Sequence, residues 1–402
     1  MYASAGVGVV ALLLGLFLTR AVPFLKRLCI PAPVSGGLII SLITLLLFYA
    51  FHIECKFDGT VRDICMMLFF TSVGFQSDIR VVRTGGRPLV MMIILVAVLI
   101  VFQNVISVGI AAGLHLSNLF GMAAGSIPMC GGHGTAGGFS PLLEQLGLDG
   151  ASSITMAAAT FGLVAGSLLG GPLGEALIRR HHLSEQSDAG NVLAATETLE
   201  RAEDAKENTS KTDESVFREF LTGACLLIIA MALGTGLSKL LAMTGVAFPT
   251  YFGSLLVAFL LRNLLGISPK MRSGLCVDRI VSIGNICLQL FLGMAMASLR
   301  LWELASIALP LLLILVVQVA FMALYAAFVA FPLLGKNYDS AVLVSGLCGF
   351  GLGATPNAMA NMSAVCYKYR YAVGPFIIVP IIGAMFVDII NTGVITLFLN
   401  LF

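Results

Sequence analysis

Two glycine-rich runs are the residues of this chain whose types and spacing indicate chemistry. We name GGHGTAGG at residues 131–138 the first glycine segment and GLCGFGLG at 346–353 the second glycine segment. Glycine weakens a helix and bares its backbone, which bilayer hydrocarbon tolerates only where protein or a water-filled cavity supplies hydrogen bonds. We therefore predict that both segments lie in re-entrant hairpins that meet at a substrate site.

Asp388 is the ionisable residue whose position most strongly indicates a function. It lies deep within an apolar stretch near the end of the chain, where burying a carboxyl group in a bilayer is costly. A carboxylate at this position could hold a cation. In the alternative interpretation, Asp388 is a structural partner that bonds Asn391 or another helix.

The composition predicts an all-α polytopic membrane protein. The 402 residues are 58% apolar and 11% charged, and the mean hydropathy is +0.99, which excludes a soluble domain. The net charge of +2 does not indicate a nucleic-acid partner, because the Lys and Arg residues lie mostly at the ends of apolar runs. Nine cysteines without C-x-x-C spacing indicate core residues, neither a disulfide framework nor a zinc site.

Ten apolar runs are long enough to be predicted as membrane spans. They cover roughly residues 5–24, 33–53, 63–79, 88–113, 152–177, 217–243, 248–266, 280–299, 304–331 and 371–401. The first run lacks a basic segment before it and has Arg20, Lys26 and Arg27 after it, so we predict a retained span with its N-terminus outside. The distribution of Lys and Arg then predicts that both chain termini are extracytoplasmic.

The two halves of the chain can be aligned with each other. At an offset of 222, Cys65 falls on Cys287 and Pro88 on Pro310, whereas an offset of 219 aligns the two glycine segments. Five spans per half place the second half upside down, so we predict inverted-topology repeats, an architecture of secondary transporters. The predicted units are an N-terminal repeat (1–180, hairpin 119–147), a flexible cytoplasmic linker (181–215) and a C-terminal repeat (216–402, hairpin 340–366).

Six stretches of the sequence resemble the glutamate:sodium symporter family of bacteria. They are IPAPVSGGL (30–38), SIPMCGGHGTAGGFS (126–140), ATFGLVAGSLLGGP (159–172), LWELASIALPLLLILVVQVAFMALYAAF (301–328), GKNYDSAVLVSGLCGFGLGATPNAMANM (335–362) and FVDIIN (386–391). The resemblance implies sodium-coupled uptake of L-glutamate through the inner membrane by a homodimer embedded in the lipid bilayer. It implies ten spans and two glycine-motif hairpins, with sodium as the coupling ion and no cofactor.

The candidate site residues follow from the chemistry that such a substrate requires. A buried carboxylate needs donors, and backbone N–H groups at hairpin tips and helix N-termini supply them without adding charge. The candidate substrate-binding residues are Gly132, Gly134, Thr135, Gly351, Gly353, Thr355 and Asp388. Sodium prefers oxygen ligands, and the candidates for these are Ser345, Thr355, Asn357 and Asn361.

Several other signals favour packing over function. The run GHGTAG fits a dinucleotide motif, but no soluble strand precedes it. His133 could relay protons, although a lone buried histidine is at least as often a packing residue. Gly162, Gly166 and Gly170 indicate close helix packing. Interhelical hydrogen bonds explain four mid-span amides about as well as substrate contacts do: Gln103, Asn104, Asn285 and Gln318.

Three other functions remain alternatives at this point. One is a proton- or sodium-coupled carrier of another dicarboxylate or hydroxy acid. An intramembrane enzyme using His133 and Asp388 lacks a second catalytic constellation such as H-E-x-x-H or G-x-S-x-G. A channel would not need two inverted halves with paired broken hairpins.

Overall fold

The regular structure of the described residues is entirely helical. The computed structural model describes residues 1–23, 25, 30–80, 86–183, 213–243, 248–266, 274–304 and 307–401, and no strand occurs in these ranges. Most of the predicted linker, residues 184–212, lies outside them.

Eight helices precede the predicted linker among the described residues. They are α1 (Tyr2–Ala21), α2 (Ala32–Phe51), α3 (Thr60–Gln76), α4 (Gly86–Gly113), α5 (Asn118–Ala123), α6 (Ser126–Met129), α7 (Gly132–Gln145) and α8 (Ala151–Arg180).

The described helices after the linker are α9 (Asp213–Ala242), α10 (Phe252–Leu265), α11 (Val277–Ala297), α12 (Leu301–Leu304), α13 (Ala308–Tyr325), α14 (Tyr338–Gly351), α15 (Thr355–Lys368), α16 (Val373–Ile381) and α17 (Val387–Leu399). Helix α13 continues through a π-helical turn at Ala326–Ala330 into a short helix at Phe331–Leu333.

Each predicted span coincides with helical structure. Seven described helices are long and apolar enough to cross a membrane: α1, α2, α4, α8, α9, α11 and α13, the last with its continuation to Leu333. The predicted spans at 63–79, 248–266 and 371–401 coincide with shorter helices. There α3 has 17 residues, α10 has 14, and a π-helical turn at Ile382–Phe386 separates α16 from α17. The chain is therefore a multi-pass membrane protein.

Helices α3 and α11 pack against each other and connect the two sets of helices. Helices α1 and α2 pack on α11, whereas α9 and α10 pack on α3. The Cys65 and Cys287 thiol groups face each other between α3 and α11. Small residues allow the outer pairs to approach closely, because a Cβ atom at Gly36 would overlap the Ala11 carbonyl of α1, and one at Gly234 would overlap Ser254 of α10.

Each glycine segment lies at a break between two helices. The first glycine segment begins at the N-cap of α7 and continues into that helix, and the second ends in the three-residue break between α14 and α15. Helices α14 and α15 pack antiparallel: Gly349 approaches Ala358, and Gly346 approaches Met362. Helix α8 packs against α7, α14 and α15. These contacts bring both glycine segments into the buried core.

Candidate functional site

The two glycine segments meet across a cavity of about 380 Å³. Gly132 has the positive φ angle of +59° that favours glycine, and a Cβ atom there would lie 2.7 Å from the carbonyl oxygen of Gly353. A side chain at Gly132 would therefore push the two segments apart. Helices α3 and α11 provide further lining residues, among them the polar side chains of Gln76, Asn285 and Gln289.

Two helices begin at this cavity. Helix α7 begins at Gly132 and α15 begins at Thr355, and both first turns line the cavity. The first N–H groups of a helix have no intrahelical acceptor, and the helix dipole makes this end partly positive. Both helix starts can therefore bind anionic groups.

Asp388 brings a carboxyl group to the same cavity. It lies in the first turn of α17, directly after the π-helical turn, and it is the only Asp, Glu, Lys or Arg among the described residues that line the cavity. Thr135 Oγ1 faces this carboxyl group but makes no hydrogen bond of normal geometry to any described residue. Donors for anions and an acceptor for a cation thus share one space.

His133 lines the cavity and has a hydrogen-bond partner in α8. Its Nε2 lies 3.0 Å from Thr160 Oγ1, and the Thr160 hydroxyl donates to Met156 O at 2.9 Å. Because that hydroxyl uses its proton on Met156, the imidazole Nε2–H donates and Thr160 accepts. This geometry supports the packing interpretation of His133.

The predicted site residues divide into two groups. Those that line the cavity are Gly132, Gly134, Thr135, Gly353, Thr355 and Asp388. The others pack against helices. Gly351 lies against Leu99 of α4, and its carbonyl accepts from Gln103 Nε2 at 2.7 Å. Ser345 is fully buried, and its carbonyl lies where a Cβ atom at Gly170 would have to fit.

Two of the predicted sodium ligands hold α15 against α8. Asn357 Nδ2 donates to Leu163 O at 2.8 Å, and Asn361 Nδ2 donates to Gly166 O at 2.9 Å. Asn357 Oδ1 has no partner within the described chain. The close packing predicted for the glycines of α8 is confirmed, because Cβ atoms at Gly162 and Gly170 would overlap groups of the second glycine segment and of α15.

Three of the four mid-span amides connect helices. The neighbouring residues Gln103 and Asn104 of α4 bond the chain near both glycine segments. Gln103 bonds Gly351 O, and Asn104 Oδ1 accepts from Ser126 N at 2.9 Å. Gln318 Nε2 donates to the backbone oxygen of Gln103 at 2.6 Å. The fourth amide, Asn285, lines the cavity.

Three polar residues near Asp388 were not predicted as site residues: Tyr251, Asn391 and Thr392. Tyr251 stacks on Phe70 with ring centroids 3.7 Å apart, and its hydroxyl faces Thr392. Asn391 Nδ2 donates to the carbonyl of Ser126 at 3.1 Å and not to Asp388. The spacing of Asn391 and Thr392, three and four residues after Asp388 on one helix, is the sequence signal that could have identified them.

A bundle of membrane-crossing helices with two broken helices around a cavity that several polar side chains line defines a membrane transport protein. The family model described as "Sodium/glutamate symporter" matches residues 1–371. The sodium/glutamate symporters of Escherichia coli (strain K12) and Shigella flexneri are each 42% identical over 392 residues, covering 97% of this chain and 95% of theirs. That of Haemophilus influenzae is 35% identical over 393 residues, covering 98% and 95%. The chain therefore belongs to the sodium/glutamate symporter family.

Proposed function

We propose that this protein moves L-glutamate into the cell together with sodium ions, by alternating access across the bacterial inner membrane. The observation that carries the proposal is the cavity, where two helix starts face one carboxyl group. Glutamate has two carboxylates and one ammonium group, which matches this set in number and sign. The cavity volume of about 380 Å³ lies within the range of small-molecule sites.

The lining residues suggest how the substrate is held. One carboxylate binds the first-turn N–H groups of α7 at residues 132–134, and the other binds near Gly353 and Thr355 at the start of α15. Asp388 accepts hydrogen bonds from the ammonium group. The unpartnered oxygens of Asn357 and Ser345 remain candidates for a sodium ion beside α15, with Thr355 and Asn361 completing that set.

Contacts between equivalent residues support two inverted repeats, 1–180 and 216–402, each with a re-entrant hairpin. Cys65 and Cys287 are equivalent at the offset of 222 and face each other, as residues on a pseudo-two-fold axis do. The carbonyl of Ser126 meets Asn391, and the equivalent carbonyl of Ser345 meets Gly170. Each hairpin thus contacts the last span of the other repeat.

We propose that both termini lie outside and the linker in the cytoplasm, as the distribution of Lys and Arg indicates, and ion pairs support the grouping of residues by side. Lys368 bonds Glu175 at 2.6 Å and Arg262 bonds Asp78 at 3.2 Å, and all four residues belong to regions assigned to the cytoplasm. Conversely, Arg300 approaches Glu54 at 3.4 Å, and both belong to regions assigned to the outside. The family resemblance also leads us to propose a homodimer in the lipid bilayer.

Uptake by proteoliposomes tests the proposed function. Purified protein should accumulate radiolabelled L-glutamate when a sodium gradient is imposed, and it should not when a proton gradient is imposed in sodium-free buffer. An excess of unlabelled succinate or malate should compete less than unlabelled L-glutamate, because neither supplies an ammonium group for Asp388. Equal accumulation without sodium would refute the coupling ion, and stronger competition by succinate would refute the substrate.

A further inference from the structure

Helices α3 and α11 meet in contacts that repeat at the offset of 222. At one end, a Cβ atom at Gly284 would overlap the side chain of Ser72. The positions equivalent to these two, Arg62 and Met294, line one small pocket at the other end. The two facing thiol groups lie between these contacts. The order of the contacts makes the two helices antiparallel, as the proposed pseudo-two-fold axis requires.

Phe69 and Phe291 are equivalent at the same offset and lie on opposite sides of the facing thiol groups. Each follows its cysteine by four residues, which is about one helical turn. Because the helices are antiparallel, Phe69 lies toward the Ser72 contact and Phe291 lies toward the pocket at Met294. The two rings therefore lie on the two sides of the proposed axis.

The environments of the two rings differ. Phe291 is fully buried, and a Cβ atom at Gly137 of α7 would overlap its ring. The side chain of Met156 of α8 lies 2.7 Å from the same Cβ position. Phe69, in contrast, is half-buried and lines the cavity. One ring is thus packed between helices, whereas its equivalent borders the cavity.

The residue equivalent to Gly137 also borders the cavity. At the offset of 219 that aligns the glycine segments, Gly137 corresponds to Pro356 in the first turn of α15. Pro356 is exposed, and it lines the cavity together with Phe69. The pair that corresponds to the packed contact of Phe291 with Gly137 therefore borders open space.

The cavity extends from Phe69 to the end of α3. Its lining residues from this helix are Phe69, Val73 and Gln76, and Gln76 is the last residue of the helix. None of the described α3 residues before Phe69 lines it. On α11 the lining includes the exposed Asn285, which directly follows Gly284. In the proposed orientation this end of α3 is cytoplasmic, so the cavity opens toward the cytoplasm.

We propose that Phe291 with Gly137 forms the outer gate of the substrate cavity, that Phe69 with Pro356 forms the cytoplasmic gate, and that the two gates close alternately. This inference rests on the proposed function and names the residues that control access to its site. In the present conformation the outer gate is closed and the cytoplasmic gate is open. In the opposite conformation Phe69 packs against Pro356, and Phe291 leaves Gly137.

Thiol labelling from each side of the membrane tests the gates. The reporter is Gln289→Cys in a variant without native cysteines, because Gln289 lines the cavity two residues before Phe291. The rate of reaction with a membrane-impermeant reagent is measured in intact cells and in inside-out vesicles, without sodium or glutamate. With both gates intact, the reporter should react faster from the cytoplasmic side.

Alanine at the two gate positions should shift this labelling in opposite directions. Phe291→Ala removes the ring that closes the outer gate, so the ratio of outside to cytoplasmic labelling should rise by about tenfold or more. Phe69→Ala removes a ring that only the opposite conformation buries, so the ratio should fall by about tenfold or more. Gly137→Ala places a methyl group where the Phe291 ring lies and should act like Phe291→Ala.

Phe75→Ala is the matched control for loss of a ring from α3. Phe75 is fully buried, but it packs in a separate cluster with Leu227 and Ala258. Its substitution should lower the melting temperature and leave the labelling ratio unchanged. Because Phe69 is half-buried, Phe69→Ala tests the proposal even if Phe291→Ala fails to fold.

The possible failures can be told apart. A wild-type ratio in both Phe69→Ala and Phe291→Ala would overturn the proposal, and so would shifts in the same direction. An inverted orientation would make the reporter react faster from outside and change the sign of both shifts, but the shifts would still oppose each other. Sodium-independent uptake by the wild type would refute the proposed function and not the gates.

Discussion

Asp388 carries a carboxyl group whose burial in the helix bundle costs electrostatic free energy. A carboxyl group in a membrane-embedded bundle is kept where a ligand or a partner compensates its charge. In the described structure the Thr135 hydroxyl and the cavity face this carboxyl group, and no described lysine or arginine lines that cavity. A cation that compensates the ionised carboxylate therefore comes from solution, as a substrate ammonium group or as an ion.

We predict that Asp388→Asn abolishes glutamate accumulation in a folded, inserted protein. Asparagine keeps the shape but loses the charge, which weakens binding by roughly 1.5–3 kcal/mol, or about tenfold to over a hundredfold. Calorimetry with glutamate and with sodium measures the loss, and Asp149→Asn in an exposed loop is the control. Wild-type affinity for both ligands would contradict the prediction, whereas weakened sodium binding alone would assign Asp388 only to the ion.

The residue types predicted the residues that line the cavity better than they predicted the atoms that could bind ligands. Gly132, Thr355 and Asp388 line it, as expected from bared backbone and a costly carboxylate. Gly351 does not, because helix α14 continues to that residue and the break comes at residues 352–354. Tyr251 could not be found by spacing, since a polar residue in an apolar span has the same sequence pattern whether it bonds a neighbouring helix or a ligand.

Gly132 combines a positive φ angle with a close approach to the backbone of Gly353, so its substitution provides a sharp test. Gly132→Ala should abolish sodium-driven uptake, because the left-handed backbone costs about 1–3 kcal/mol and the new Cβ collides with Gly353. Gly86→Ala is the matched control: φ is +61° there, but the nearest atom would lie 3.8 Å away. Equal uptake by both variants would show that the contact between the glycine segments is dispensable.

Helix α8 is the surface against which α14 and α15 pack. Its glycines allow α14 and α15 to approach so closely that Asn357 and Asn361 reach backbone carbonyls of α8. The spacing of the glycines predicted close packing of α8. It could not identify α14 and α15 as the packing partners, because a row of small residues indicates only that another helix approaches closely. The helix positions were predictable from apolar length, and the π-helical turn before Asp388 was not.

Two adjacent glycines of α8 separate packing from helix propensity. Gly170→Ala should destabilise the protein by about 1–3 kcal/mol, because its Cβ would overlap Asn361 and lie 2.6 Å from Ser345 O. Gly171→Ala meets open space and should be neutral or slightly stabilising. Thermal unfolding of the purified variants measures the difference. Equal melting temperatures would contradict close packing at Gly170.

The two proposed repeats differ in the residues that their last spans present to the opposite hairpin. The contact that joins a hairpin to the opposite last span uses Asn391 in one case and Gly170 in the other. One last span therefore carries Asp388, Asn391 and Thr392, whereas the other carries glycines that serve as a packing surface. Internal symmetry would supply two related conformations for alternating access, and its local loss would leave a single ligand site.

The orientation of the chain decides which of the two proposed hairpins opens to which side of the membrane. Thiol labelling tests this orientation. In a variant without its native cysteines, Ser187→Cys in the predicted linker should react with a membrane-impermeant reagent only from the cytoplasmic side. Removing those cysteines is necessary because Cys225 is exposed. Tyr2→Cys, at an N-terminal position that is 83% exposed, should react from outside intact cells. The opposite labelling of the two positions would invert the proposed orientation, and labelling from one side only would refute the odd number of spans between them.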